Sequence, residues 1–186
     1  KEAAQKAIEL DNTSAEACTS LAAVRLGFDW DFAETRRLLK RALELNPNYG
    51  EAHIWYAHLL GLEGKHEKAL KEMQRAESLN TVSPSLLVNY ALRLRDARKF
   101  DEALVKIRQA QTMNPSYNVA TPAYCWLVDY LDIGEEAEKA CRRAAEASHQ
   151  NLPLYAYGYI LAANGKLEEA RKIAGELEER KKRLYV

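Results

Sequence analysis

The sequence predicts an all-α fold, an array of antiparallel helix pairs, and three observations carry the prediction. A short phrase recurs as KAIELD (Ala7), RALELNP (Ala42), RAESLN (Ala76), QAQTMNP (Ala110) and RAAEASH (Ala144), at intervals of 35, 34, 34 and 34 residues. A fixed period of that length marks a repeat architecture. Within each period the apolar residues fall at helical spacing in two blocks, and period-two alternation is nowhere sustained, so no strands are expected.

The elements follow in order. Residues 1–14 read as the second helix of a truncated repeat, with Ala3, Ala7 and Ile8 apolar. The first full repeat, 15–48, carries Cys18, Leu21 and Ala22, then Thr35, Leu39 and Ala42, and its GFDWD turn holds one extra residue. In the second, 49–82, Ala52, Trp55, Tyr56, Leu59 and Leu60 lie on one helical face. Gly61 and Gly64 interrupt the pattern before Ala69, Leu70, Met73 and Ala76 begin the next face. The third, 83–116, repeats this with Leu87, Tyr90, Ala91 and Leu94, then Ala103, Leu104, Ile107 and Ala110. The fourth, 117–149, is degenerate, with a first helix over 120–130 and a short DIGEE turn. The fifth, 150–184, carries Leu154, Tyr157, Gly158 and Leu161, then Ala170 and Ala174. About eleven helices result. Alanine recurs in the second helix of each pair because close-packed helices need small residues where their backbones approach. Pro47 and Pro115 stand where a second helix must stop.

Composition narrows the function. The 186 residues carry 27 basic and 27 acidic side chains, for a formal net charge of zero. A nucleic-acid surface built on bulk positive field is therefore not expected. No apolar run approaches the roughly 20 residues that cross a bilayer, so no membrane partner is expected. Cys18, Cys125 and Cys141 form no C-x-x-C pair and have no histidine at ligand spacing. They read as three buried, reduced thiols, which fits a cytoplasmic protein. His53, His58, His66 and His149 match neither a zinc helix nor a catalytic dyad. His53 sits at a packing position and reads as a satisfied core or boundary histidine. No metal, cofactor or catalytic set is expected, and the chain reads as a non-enzyme. Both ends read as cut from a longer protein.

These residues resemble the tetratricopeptide repeat (TPR), whose pattern runs W-x2-L-G-x2-Y, A-x3-F, A and P. In the third unit Leu87, Tyr90, Ala91, Leu94, Phe100, Ala103, Ile107, Ala110 and Pro115 match it. The second unit matches with His53, Tyr56, Ala57, Leu60, Gly64, Ala69, Met73 and Ala76. The phrases WDFAETRRLLKRALELNPNYGEAHIWYAHLLGLEGKHEKAL and RKFDEALVKIRQAQTMNP further resemble the arrays of bacterial signalling and transcription-regulator proteins.

The resemblance implies an α-solenoid wound as a right-handed superhelix, with first helices lining a concave face that binds a protein or peptide. Carried over by position, the partner-facing residues are Ile54, His58, Leu62, Val88, Leu92, Arg95, Trp126, Tyr130, Tyr155 and Tyr159. Tyr56, Tyr90 and Tyr157 fall at core positions. The family's carboxylate clamp needs Lys and Asn at inward places. Only Asn89 resembles such a residue, so that partner class is not expected. The uncapped terminal helices offer a surface for self-association. A second reading is a sensory domain that takes a small apolar ligand near Trp126 and regulates an attached output domain.

Overall fold

The computed structural model describes residues 6, 13–79, 82–114, 117, 123–125, 127, 134–147 and 151–184. Its described residues are helix and turn, without strands. By packing the chain divides into two compact units, one running to Val82 and the other beginning at Ser83.

The first unit holds α1 (Ala15–Val24), α2 (Phe32–Leu45), α3 (Gly50–Leu62) and α4 (His66–Leu79). Ser14 starts α1: its hydroxyl accepts from the Ala17 amide at 3.0 Å, satisfying one of the amides a helix start leaves open. Asp31 starts α2 in the same way, accepting from the Glu34 amide at 3.0 Å. Each helix packs on its partner, α1 on α2 and α3 on α4, while α3 also packs on α2 and α1. One cluster gathers Leu21, Ala22, Leu26, Leu38, Leu39 and Leu59, with Phe32, Trp55 and Tyr56 against it. Another gathers Ala15, Cys18, Ala42 and Ala52. One pair cannot cover its own apolar face, and the next pair supplies the missing cover.

The second unit holds α5 (Pro84–Asp96), α6 (Phe100–Met113), α7 (Gly134–Ala147), α8 (Asn151–Ala163) and α9 (Leu167–Leu184). Residues 123–125 and 127 are also helical. Ser83 caps α5 by accepting from Leu86 N at 3.1 Å, with Pro84 in the first turn, where its missing N–H costs nothing. Within this unit α5 packs on α6, α7 on α8 and α8 on α9. The alanines read as close-approach positions are buried: Ala69, Ala76, Ala103 and Ala110 expose 1% or less.

One backbone device closes the first helix of several pairs. Gly64 (φ 73°), Arg98 (φ 61°) and Gly165 (φ 76°) are left-handed. Each stands at the same place in its repeat. The amide after each reaches back five residues, from Lys65 to Leu60 O (2.8 Å), Lys99 to Leu94 O (2.9 Å) and Lys166 to Leu161 O (2.9 Å). This is the Schellman arrangement, which favours glycine because a Cβ crowds the left-handed conformation. The first repeat places Trp30 there instead (φ 53°). Its following amide, Asp31, reaches back six residues to Arg25 O at 3.2 Å. The added residue of the GFDWD turn is absorbed as a π-helical turn, Arg25–Asp29, in the way a single insertion widens a helix. The widened turn leaves Phe28 82% and Trp30 67% exposed.

The cysteine expectation needs correction. All three are buried, but Cys125 and Cys141 are joined as a disulfide, with Cα atoms 6.1 Å apart. Cys18 stands outside that bond and keeps its thiol. With the bond present, the cysteines no longer support a cytoplasmic setting.

Candidate functional site

The expected partner-facing residues fall into separate groups. In the first unit Ile54 and His58 are half-buried on α3 and Leu62 is 45% exposed at its end. His58 lies against Trp55, with ring centroids 5.7 Å apart and planes 19° apart, and Trp55 Nε1 donates to Glu51 at 3.1 Å. These aromatic side chains are already held by neighbours on their own helix.

In the second unit the same class of position differs between helices. On α5, Val88 exposes 2% and is core, so it presents no surface to a ligand, a departure from its expected exposure. Leu92 and Arg95 are half-buried. Arg95 donates to Asp96 at 2.9 Å, and Arg93 reaches the same carboxylate at 3.1 Å. Burial of Arg93 pulls its guanidinium below the ordinary arginine range. Asn89, the single clamp-like residue, donates to Ser85 O of its own helix at 2.9 Å.

On α8 the surface opens. Leu152, Tyr155 and Tyr159 are 39%, 52% and 38% exposed, spaced so that they form one stripe along the helix. The opposite side of α8 is core: Leu154, Ala156, Ile160 and Leu161 are buried. Gly158 sets how closely α8 meets α9, since a Cβ there would lie 2.8 Å from Ile173 Cγ2. Trp126 and Tyr130 lie outside the described residues.

Charged side chains fix the helices that carry these surfaces. Glu138 of α7, only 8% exposed, accepts from Lys166 Nζ at 2.7 Å and Asn164 Nδ2 at 3.1 Å. Those hydrogen bonds, the lysine's first, outweigh desolvation and hold its carboxyl below the usual carboxylate range. Arg142, one turn along α7, donates through Nε to the Tyr157 hydroxyl at 2.9 Å. Together they seat α8. Tyr157, expected in the core, is half-buried under this guanidinium. In the first unit His53 is 8% exposed. Its Nδ1 lies 2.6 Å from Glu72 Oε2 and its Nε2 lies 3.0 Å from Pro47 O. Two acceptors, one per ring nitrogen, suit the imidazolium. The Glu72 contact raises the His53 pKa above its ordinary value. Arg36 pairs with Glu63 across α2 and the end of α3, and Lys65 joins the same carboxylate at 2.8 Å.

By position in the repeat Leu152 belongs with the two tyrosines among the partner-facing residues, and it is exposed with them. Sequence reasoning missed the Glu138–Lys166 lock and the outward turn at Phe28 and Trp30. The signal for the turn was the 35-residue first interval. Among the described residues, no group of three or more His, Cys, Asp or Glu side chains is placed to hold a metal ion. None of the described helices is long and apolar enough to cross a membrane.

The comparisons agree with this geometry. Residues 31–84 match the tetratricopeptide repeat family model. Over that stretch the chain is tetratricopeptide repeat in kind. A curated relative, tetratricopeptide repeat protein 8 of Caenorhabditis elegans, is 29% identical over 146 residues, 77% of this chain. The chain spans 29% of that relative's length. The TPR protein TTC0263 of Thermus thermophilus has a similar solved structure, at TM-score 0.77 and 19% identity over 89% of this chain and 91% of that one. YrrB, described as a TPR protein with an unusual peptide-binding site, aligns at TM-score 0.62 and 16% identity over 95% of this chain and 91% of that one. At such identities the structures establish the fold, an all-α TPR solenoid. TPR folds suggest a protein-interaction scaffold, and TPR proteins are generally non-enzymatic.

Proposed function

We propose that this TPR array holds a peptide or helix of a protein partner on the concave face that its first helices line, with α8 making the main contact. The observation that carries the reading is the stripe of Leu152, Tyr155 and Tyr159, exposed on a helix whose other side is core. Apolar and aromatic side chains open to solvent on a rigid helix suit the groove mode of recognition, and tyrosine is enriched at binding hot spots. The stripe itself carries no charge, so the partner is recognised by its apolar side chains. The description of YrrB as a TPR protein with a peptide-binding site supports the same class of ligand. The division into repeats at 15–48, 49–82, 83–116, 117–149 and 150–184 belongs to this reading. So does the setting in a bacterial signalling or regulatory protein, which rests on the resemblance of the WDFAETRRLLKRALELNP and RKFDEALVKIRQAQTMNP phrases.

The test is selection from a phage-displayed random peptide library on the wild-type chain and on a Tyr155→Ala/Tyr159→Ala variant. Circular dichroism would first show that both are folded. Peptides enriched on wild type should lose their affinity for the variant. Peptides that bind both equally would move the site off α8.

A further inference from the structure

We propose that Cys125 and Cys141 form a redox-controlled staple. When joined they fix the fourth repeat covalently where the other repeats rely on packing, and when reduced they loosen that repeat selectively. The repeat register gives the first reason. Counting by repeat, Cys125 stands where the others place Ala22, Ala57, Ala91 and Gly158, and Cys141 stands where they place Leu39, Met73, Ile107 and Ala174. The first set belongs to first helices and the second set to second helices. In the second and third repeats the two positions form a small-and-large pair, buried to 1% exposure or less: Ala57 with Met73, and Ala91 with Ile107. Ala22 and Leu39 share one core cluster in the first repeat. The spacing within the pair, 16 residues, is that of the disulfide.

The fourth repeat has lost the large member of this pair. A cysteine in place of Ile or Met removes apolar volume from a fully buried position, which leaves a cavity or a collapse. Cys125 and Cys141 are both 0% exposed. Their bond restores a fixed connection between the two helices and closes a short loop, which restricts the unfolded chain. The repeat that reads as degenerate, with its short DIGEE turn, is thus the one held by a covalent link.

The chemistry balances with a small-molecule disulfide such as oxidised glutathione. One cysteine thiolate attacks the glutathione disulfide and releases one glutathione thiolate. The second cysteine thiolate then displaces the other. Two protein thiols are oxidised, and one glutathione disulfide becomes two glutathione thiols. Because both sulfurs are buried, the reverse reaction requires the repeat to open first.

Three readouts on the intact chain test the proposal. After equilibration in glutathione redox buffer, acid quenching and denaturation, thiol counting should find one thiol per chain under oxidising conditions, Cys18, and three after reduction. Three thiols at every redox ratio would overturn it. Reduction should speed hydrogen exchange in peptides covering Gly134–Ala147 and leave those covering α3 and α4 unchanged, and equal acceleration everywhere would overturn it. Reduction should also lower the melting midpoint of the wild type by about 6–12 °C. The Cys125→Ala/Cys141→Ile variant, which restores the pair of the third repeat, should melt independently of reductant. A wild-type midpoint indifferent to reductant would contradict the proposal.

Discussion

The partner-facing sides of α3 and α8 occupy corresponding places in their repeats, yet they present different surfaces. On α3 the residues at binding positions are engaged at home: His58 stacks on Trp55, Ile54 is half-buried, and only Leu62 stands well exposed. On α8, Leu152, Tyr155 and Tyr159 are 39%, 52% and 38% exposed. The repeat register decides which residues stand at partner-facing positions. It does not decide whether their neighbours leave them accessible to a ligand. Binding energy should therefore concentrate in the second unit even though both units share one architecture.

The largest effect separates the two sides of α8. Ile160 exposes 0%, and truncating a fully buried isoleucine costs about 2–5 kcal/mol. Ile160→Ala should lower the denaturant midpoint strongly, as read by circular dichroism. If it melts like wild type, the assignment of that side to the core is wrong. Next comes the opposite side. Tyr155→Ala with Tyr159→Ala should weaken a selected peptide by about 2 kcal/mol or more, roughly 30-fold, with stability changed by no more than about 0.5 kcal/mol. Leu62→Ala, at the most exposed partner-facing residue of α3, should alter the same affinity less than about threefold, since most interface residues contribute little. Equal losses at both helices would erase the contrast.

Smaller effects probe the turns and the close contact. Arg98 holds a left-handed conformation that glycine holds in the second and fifth repeats. Arg98→Gly should relieve strain and raise stability by up to about 1 kcal/mol. Gly158→Ala opposes two terms: helix propensity gains about 1 kcal/mol, and a contact at 2.8 Å from Ile173 costs about 1–3 kcal/mol as overpacking. The net is a modest destabilisation, and a more stable variant would show that α9 gives way. The smallest effect is one of pH. The His53 pKa is raised by its hydrogen bond to Glu72, which outweighs desolvation and the smaller opposing charge of Arg75. Its stabilisation is therefore complete below the free-histidine range near about 6.5 and is lost as pH rises through the folded value. Wild type should lose this increment toward alkaline pH in urea titrations, and His53→Gln should not.

The period, the helix pairs and the buried alanines were legible because each follows from spacing alone. The extra residue before Trp30 was legible as a count but not as a shape, since a π-helical turn and a longer loop absorb it equally well on paper. Glu138 reads in sequence as one carboxylate among many in GEEAEKACRR. Its burial depends on Lys166 and Asn164 arriving from the next turn. The disulfide escapes notice when cysteines are compared only with metal-ligand and C-x-x-C spacings. Aligned to the repeat register, Cys125 and Cys141 fall on paired helices. Val88 departs from expectation because a position's family role fixes its direction and not its cover.

The most direct measurement is photo-crosslinking of a selected peptide with a benzophenone amino acid placed in turn at Tyr159 and at Leu62. Efficient capture from Tyr159 and little from Leu62 is the result expected of a binding surface on α8. Capture from Leu62 with none from Tyr159 would contradict it.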